Sequence, residues 1–280
     1  MLKFATILSS LFRTLPKFKG KNRIARVLLK RTISESLDVS INGRYKLTYK
    51  VPNVNESIGF ELFINGIYEF DNIKLIINKI PKNGVFIDVG ANIGSIAIPI
   101  AKLRPDIKVF AIEASPRVFS YLKYNVKVNK CENVILLNKA MAEIDNKIVS
   151  FYSPKVLFGK GSLLPIYTDI PENISTITLD SLVVMYGIKL VDFIKIDVEG
   201  FEKNVLNGGQ RILSQERPPK ILFEFSDFME DNVEDSNAGD AQDLLRNLKY
   251  ALYNVSDPKK EPMSMPYTIR KGFAMILAEK

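Results

Sequence analysis

The chain has 280 residues with a formal charge of +8, contains no histidine and has one cysteine, Cys131. The last two facts remove imidazole bases, His-built zinc or haem sites, thiolate zinc clusters and internal disulfides. With 46% hydrophobic and 25% charged residues the composition is that of a folded globule, so any catalysis must run on carboxylates, lysines, hydroxyls, backbone amides or a cofactor.

Residues 1–50 hold 12 basic side chains against only Glu35 and Asp38, while the remainder is slightly acidic. Phe4, Ile7, Leu8 and Leu11 share a helical face, as do Ile24, Val27 and Leu28. Arg13 interrupts the apolar stretch, which argues against a signal peptide, and no run approaches the roughly 18 apolar residues of a transmembrane helix. Two readings stand for this segment: a basic amphipathic surface for anionic lipid, or a helical cap whose lysines are solvated. Nothing in it has the zinc finger, aromatic pair or dense arginine patch of a nucleic-acid binder. A hairpin is predicted over 38–50, turning at Asn42-Gly43. Residues 51–68 read as a loop with short pieces, and Phe70, Ile73, Ile76 and Ile77 predict a helix over 69–79, stopped by Pro81 and Gly84.

The body then alternates. Strands are predicted at 85–89, 108–112, 134–137, 174–179, 192–196, 220–225 and 273–278, and helices at 92–103, 117–128, 181–186, 200–213 and 244–248. Pro99 sits awkwardly inside the first of those helices. Residues 143–173 break the rhythm with three prolines and Gly159-Lys160-Gly161-Ser162, a natural substrate-facing excursion. The acidic stretch 227–243 reads as a mobile loop. Apolar strands separated by helices describe an α/β fold with a mostly parallel sheet covered on both faces. Its ligands are expected past the carboxyl ends of the strands, which selects Asp88–Gly94, Glu113–Pro116, Ala140, Asp197–Gly200 and Glu224–Asp227.

The first of these loops reads Asp88-Val89-Gly90-Ala91-Asn92-Ile93-Gly94. Its glycines allow a tight turn and close ligand approach, with Gly94 serving helix–strand packing. Asn92 replaces the middle glycine of a dinucleotide fingerprint, and Asp88 has the wrong sign for a pyrophosphate. An acid there suits a ligand bearing an ammonium group, such as S-adenosylmethionine. Glu113, after the next strand, is placed to accept hydrogen bonds from a ribose diol. The second constellation is Lys195-Ile196-Asp197-Val198-Glu199-Gly200, where period-two spacing puts Lys195, Asp197 and Glu199 on one side if the strand extends that far. Charge at the end of a central apolar strand is costly unless paired or used.

The runs FIDVGANIGSIAIPIAK (86–102), VFAIEASPRVFSYLKYNVKVN (109–129), TLDSL (178–182) and DFIKIDVEGFEKNVLNGG (192–209), with NGIYEFDNIKLI (65–76) before them, resemble the FkbM-type methyltransferases. The resemblance implies a class I Rossmann-like methyltransferase sheet over residues 65–280, with one antiparallel C-terminal strand at 273–278, and leaves 1–64 as an accessory segment. It implies S-adenosyl-L-methionine as cofactor and methyl transfer to a hydroxyl of a polysaccharide, glycolipid or glycosylated metabolite. Asp88, Gly90, Ala91, Asn92, Gly94, Glu113, Ala140 and Asp197 are then the expected cofactor residues, and Asp197, Glu199 and Lys195 the expected catalytic ones. Asp197 or Glu199 would take the proton of the hydroxyl, with Lys195 tuning the local charge. A divalent cation held by Asp197, Glu224 and Asp227 is the less favoured option, and no metal residue is assigned. The expected setting is cytoplasmic, with peripheral membrane contact through the basic N-terminus left open. Two rivals remain: a non-catalytic glycan-binding or scaffold domain that keeps the cofactor fold, and an NAD-dependent oxidoreductase, against which Asp88 and Asn92 speak.

Overall fold

The structure, a computed structural model, describes residues 2–15, 18, 20–33, 37–257 and 260–280. The side chains of residues 2–6 and 30–32 lie outside that description, so the expected roles of Lys3, Phe4, Lys17, Lys19, Lys30 and Arg31 fall outside it too.

In chain order the strands are β1 (Leu37–Asn42), β2 (Thr48–Asn53), β3 (Val85–Val89), β4 (Lys108–Ile112), β5 (Val134–Leu137), β6 (Ala140–Met141), β7 (Ile148–Tyr152), β8 (Pro171–Ile177), β9 (Phe193–Ile196), β10 (Lys220–Ser226), β11 (Ala251–Asn254), β12 (Met263–Ser264) and β13 (Phe273–Glu279). The main sheet runs β12-β11-β13-β10-β9-β3-β4-β5. Strands β5, β4, β3, β9 and β10 are parallel, and β13 inserts antiparallel between β10 and β11. With β12 set aside, this order, its switch point between β3 and β9 and its one reversed strand are those of a class I methyltransferase sheet. The two-residue β12 adds a further antiparallel edge that the sequence did not announce.

Helices cover both faces: α1 (Leu2–Thr14), α2 (Lys21–Ile33), α3 (Ser57–Asn65), α4 (Phe70–Lys79), α5 (Ala97–Leu103), α6 (Pro116–Val128), α7 (Leu179–Met185), α8 (Glu202–Asn207), α9 (Gln210–Leu213), α10 (Asp227–Glu230) and α11 (Asp240–Asn247). One hydrophobic cluster joins Phe12, Ala25 and Leu29 of α1 and α2 to Ile73, Phe86 and Ile93, so side chains on both sides of residue 64 share a core. The other cluster lies on the opposite face of the sheet, under α7, α9 and α11. Alternation along β3 and β9 sends Ile87, Val89, Ile194 and Ile196 to that second cluster and Phe86 and Phe193 to the first. Asp88 and Lys195 therefore share the first face, and the parallel register pairs them directly.

Several boundaries differ from expectation for identifiable reasons. The segment 51–68 contains α3, capped by Glu56, whose carboxylate accepts from the Ile58 N–H at 2.8 Å. The helix expected from 92 begins only at Ala97, so Pro99 falls in its first turn, where no intrahelical N–H is owed. The helix expected over 200–213 is divided into α8 and α9 at Gly208-Gly209, where the backbone passes so close to Ala142 that a Cβ on Gly208 would stand 2.2 Å from its carbonyl oxygen. The acidic stretch 227–243 is held rather than loose: Glu230 accepts from the Gly239 N–H and Asp231 from the Ala238 N–H, and Lys203 pairs with Asp240. The β1–β2 hairpin forms, but its reversal spans residues 43–47 with a short 3-10 turn instead of a two-residue Asn-Gly turn.

Helix α6 grips the outer side of that hairpin. Asn125 accepts from the Lys50 N–H and donates to its carbonyl at 2.7 and 3.1 Å, and Asn129 does the same with Thr48 at 2.8 and 2.7 Å. Four helical residues rise about 6 Å, close to two strand residues, so the two amides match alternate positions of β2.

Candidate active site

A cavity of about 330 Å³ opens over the carboxyl ends of β3, β4, β9 and β10, a size within the usual range of roughly 300–1,000 Å³ for small-molecule sites. Seven carboxyl side chains and three lysines line it, a balance that favours a cationic guest.

The loops after β3 and β9 form its floor and are pressed together. Gly90 has φ +77°, and a Cβ there would lie 1.9 Å from the Asp197 carbonyl oxygen. The Gly90 and Ala91 N–H groups both donate to the Ile112 carbonyl, at 3.0 and 2.9 Å. Asn92 also takes a left-handed conformation, φ +52°, which an asparagine adopts more readily than most residues. Its N–H donates to Glu113 at 2.9 Å, and its side-chain amide donates to the Phe158 carbonyl at 3.2 Å. Gly94 does not line the cavity; a Cβ there would meet Ile98 and Leu122, the close packing expected of it.

Asp88 is fully buried, and neither of its carboxylate oxygens has a hydrogen-bond partner among the described residues. Burial pushes its pKa up to about 6 against the pull of Lys195, with Asp197 and Glu69 adding to the rise. Glu113 is also buried, one oxygen accepting from the Ser115 N–H at 2.8 Å and the other from Asn92; burial outweighs these bonds and lifts it to about 7. Each of its oxygens keeps a lone pair for a diol. Ala140, expected beside the cofactor, is buried in β6 against Phe151 and Ile174, while its neighbours Lys139 and Met141 reach the cavity wall.

On the opposite wall, Lys195 is buried and paired with Asp197 at 3.0 Å. The strand ends at Ile196, and a left-handed Glu199 (φ +53°) followed by Gly200 (φ +100°) turns the chain. That turn still brings Lys195, Asp197 and Glu199 to one cavity. Asp197, Glu199 and Glu224 each offer an oxygen within 4.8 Å of the others. The Glu224 carboxyl is driven up, by burial first and then by the neighbouring Asp197 and Glu199. The three carboxylates are a hard-oxygen donor set of the kind that takes a divalent cation, but Lys160 and Lys195 already neutralise two of them. Asp227 stays out of the cavity lining.

Lys160, Tyr68 and Glu69 had no individual site role in the sequence. Lys160 comes from the excursion 143–173 and pairs with Glu199 at 2.6 Å. Tyr68 and Glu69 come from the turn before α4, where Glu69 has φ +43°. Their signals were the Gly-Lys-Gly-Ser run and the block 65–76.

The family described as "Methyltransferase FkbM domain" matches residues 88–255. The 2-O-methyltransferase NoeI of Sinorhizobium fredii is 27% identical over 159 residues, covering 51% of this chain and 63% of that protein. The tRNA(Phe) (4-demethylwyosine(37)-C(7)) aminocarboxypropyltransferase of Methanocaldococcus jannaschii is 38% identical over 69 residues, 25% of this chain and 28% of its own. This chain thus spans less than two thirds of either relative. Among solved structures, M. jannaschii TYW2 in complex with AdoMet aligns with a TM-score of 0.41 and 15% identity, covering 84% of this chain and 82% of that one.

Proposed function

The chain belongs to the FkbM methyltransferase family, and from that premise we propose that this S-adenosylmethionine-dependent methyltransferase acts on a hydroxyl oxygen of a saccharide or glycosylated small molecule. The observation that carries the assignment is the convergence of Asp88, Glu113 and Asp197 on one cavity.

The residues present fit the cofactor. Asp88 offers two buried oxygens without partners, a cradle for an ammonium or another donor. Glu113, fixed by two backbone N–H groups, offers its remaining lone pairs to a ribose diol. Gly90 and Ala91 bring backbone close to the guest. When bound, S-adenosylmethionine supplies an electrophilic methyl group on a sulfonium centre.

The chain's own part is positioning and proton removal. The attacking hydroxyl gives up its proton, and we assign Asp197 and Glu199 as the accepting pair, with Glu224 beside them. Lys195 and Lys160 hold these two carboxylates in place through their ion pairs. The excess of carboxylates also favours a positive guest before transfer. Transfer to a hydroxyl oxygen is supported by the likeness to NoeI, named as a 2-O-methyltransferase. Peripheral membrane contact from the cytoplasmic side is supported by the N-terminal helices, where Ile7, Leu11, Ile24, Val27 and Leu28 are exposed beside Arg23 and Arg26. Among the described residues no helix is long and apolar enough to cross a membrane.

Isotope-labelled S-adenosylmethionine added with the protein to a cell extract tests the proposal. Label in an O-methyl ether of a saccharide is the expected result, and label on nitrogen, carbon or nucleic acid overturns it.

A further inference from the structure

The larger cavity of the molecule, about 810 Å³, lies between the N-terminal helices and the sheet. It shares Glu69 and Phe273 with the acidic cavity, so the two are adjoining chambers. Their charge balances differ in sign: four cations to three carboxylates line the larger one, against three lysines to seven carboxyl groups in the other. Arg13, Lys21, Arg23 and Arg44 line the larger one, and none of the four forms an ion pair among the described residues.

Two of these cations are not idle surface charges. Lys21 is only 5% exposed and donates to the Leu15 carbonyl at 3.1 Å, a neutral partner that leaves two N–H groups over. The Arg13 guanidinium donates to the carbonyls of Phe63, Leu62 and Asn42, again without a counter-charge. Burial pushes both pKa values down, and the neighbouring charge that adds to the fall is Arg44 in each case. Glu61, Glu69 and Asp71 also line the chamber, but Glu69 belongs to the end shared with the acidic cavity, where its charge bears on Asp88 and Lys195. Burying cations without compensation is costly, and a bound anion removes that cost. Arg44 donates through Nε to the Asn65 carbonyl at 2.9 Å, which leaves its outer fork for such a ligand.

We propose that this basic chamber binds a phosphate or diphosphate group of the methyl acceptor, whose saccharide then extends past Glu69 and Phe273 into the acidic cavity. The proposal rests on the methyl-transfer reading for the word acceptor, and on the chamber's own residues for the anion. It narrows the substrate class to phosphorylated saccharides: a soluble nucleoside diphosphate sugar, or a saccharide diphosphate carried on a polyprenyl lipid.

Calorimetric titration of the full-length protein with inorganic diphosphate, with a nucleoside diphosphate hexose, and with S-adenosylmethionine in parallel tests this. Diphosphate is expected to bind, and the Arg23→Gln/Arg44→Gln double variant to lose about tenfold or more in that affinity, roughly one charge-assisted contact, while S-adenosylmethionine affinity holds. Arg44→Lys is expected to recover part of the loss. Arg26→Gln removes a charge from the same helix outside the chamber and is expected to change nothing; an equal loss there reduces the effect to net charge and overturns the proposal. Absence of diphosphate binding, or binding indifferent to the double variant, also overturns it. Diphosphate binding without S-adenosylmethionine binding leaves the anion site standing and removes the methyl-transfer reading. Co-sedimentation with phosphatidylcholine vesicles containing polyprenyl diphosphate separates the sources: retention there beyond plain vesicles assigns the lipid-linked form, and hexose-nucleotide binding alone assigns the soluble one.

Discussion

The loops after β3 and β9 touch each other, yet they are built on opposite principles. The first presents backbone and carboxyl groups with open valences: Gly90 is there for lack of a side chain, and Asp88 has no hydrogen-bond partner among the described residues. The second presents side chains already engaged, Asp197 by Lys195 and Glu199 by Lys160. A loop with open valences gains from a guest, whereas one with satisfied charges holds its geometry before the guest arrives. Binding and chemistry are divided between them in that sense.

The sharpest way to break this division is to separate the loops. Gly90→Ala places a Cβ against the Asp197 carbonyl at a residue with positive φ, and is expected to cost roughly 3 kcal/mol or more. Gly187→Ala, also at positive φ but with nothing within 4 Å, is expected to cost about 1 kcal/mol. Thermal unfolding of the two variants reads the difference, and equal losses would show that the loops do not press on each other.

Asp197→Asn addresses the second loop alone. It keeps the shape, removes the proposed proton acceptor and is expected to lower kcat by about 10²-fold or more, with cofactor affinity changed much less. A variant that loses cofactor affinity and keeps kcat moves Asp197 to the binding side.

The smallest effect is a pH dependence. Asp88 and Glu113 have folded-state values raised to about 6 and about 7, so ionising them costs stability that the unfolded chain does not lose. The free protein is therefore expected to lose stability as pH rises from the ordinary carboxylate range of about 4 through these folded-state values. A cationic cofactor favours the ionised forms, so its affinity is expected to tighten over the same interval. Titration calorimetry at each end of that range gives the sign, and an affinity that weakens with pH contradicts a cationic guest beside these groups.

What was legible in the sequence follows from how local its cause is. Gly90, Asn92, Glu113 and Asp197 sit just past strands whose apolar runs announce themselves, so strand ends located them. Lys160 reaches the same cavity from a segment with no periodicity, and Tyr68 and Glu69 from the turn before α4, so only tertiary packing brings them there. Helix α3 was missed because its start depends on a glutamate cap and its body is apolar nearly all round, without the one-sided pattern that marks a surface helix. Glu199 was read correctly onto the cavity by a period-two argument although the strand stops three residues earlier; the left-handed turn restores by backbone reversal what pleating would have supplied. Asp227 shows the converse, since a residue past β10 was assigned to the wall by position and its carboxylate instead serves the local Phe228 N–H.

Asn125 in α6 and Asn129 at its C-terminal cap spare the molecule an open edge. A two-stranded ribbon ordinarily leaves an outer rim of main-chain groups on which a strand from another copy can settle. Here Asn125 and Asn129 have already occupied that rim at Thr48 and Lys50. A helix thus stands in for the missing neighbour, and this stretch of the ribbon is closed to recruitment into an aggregate.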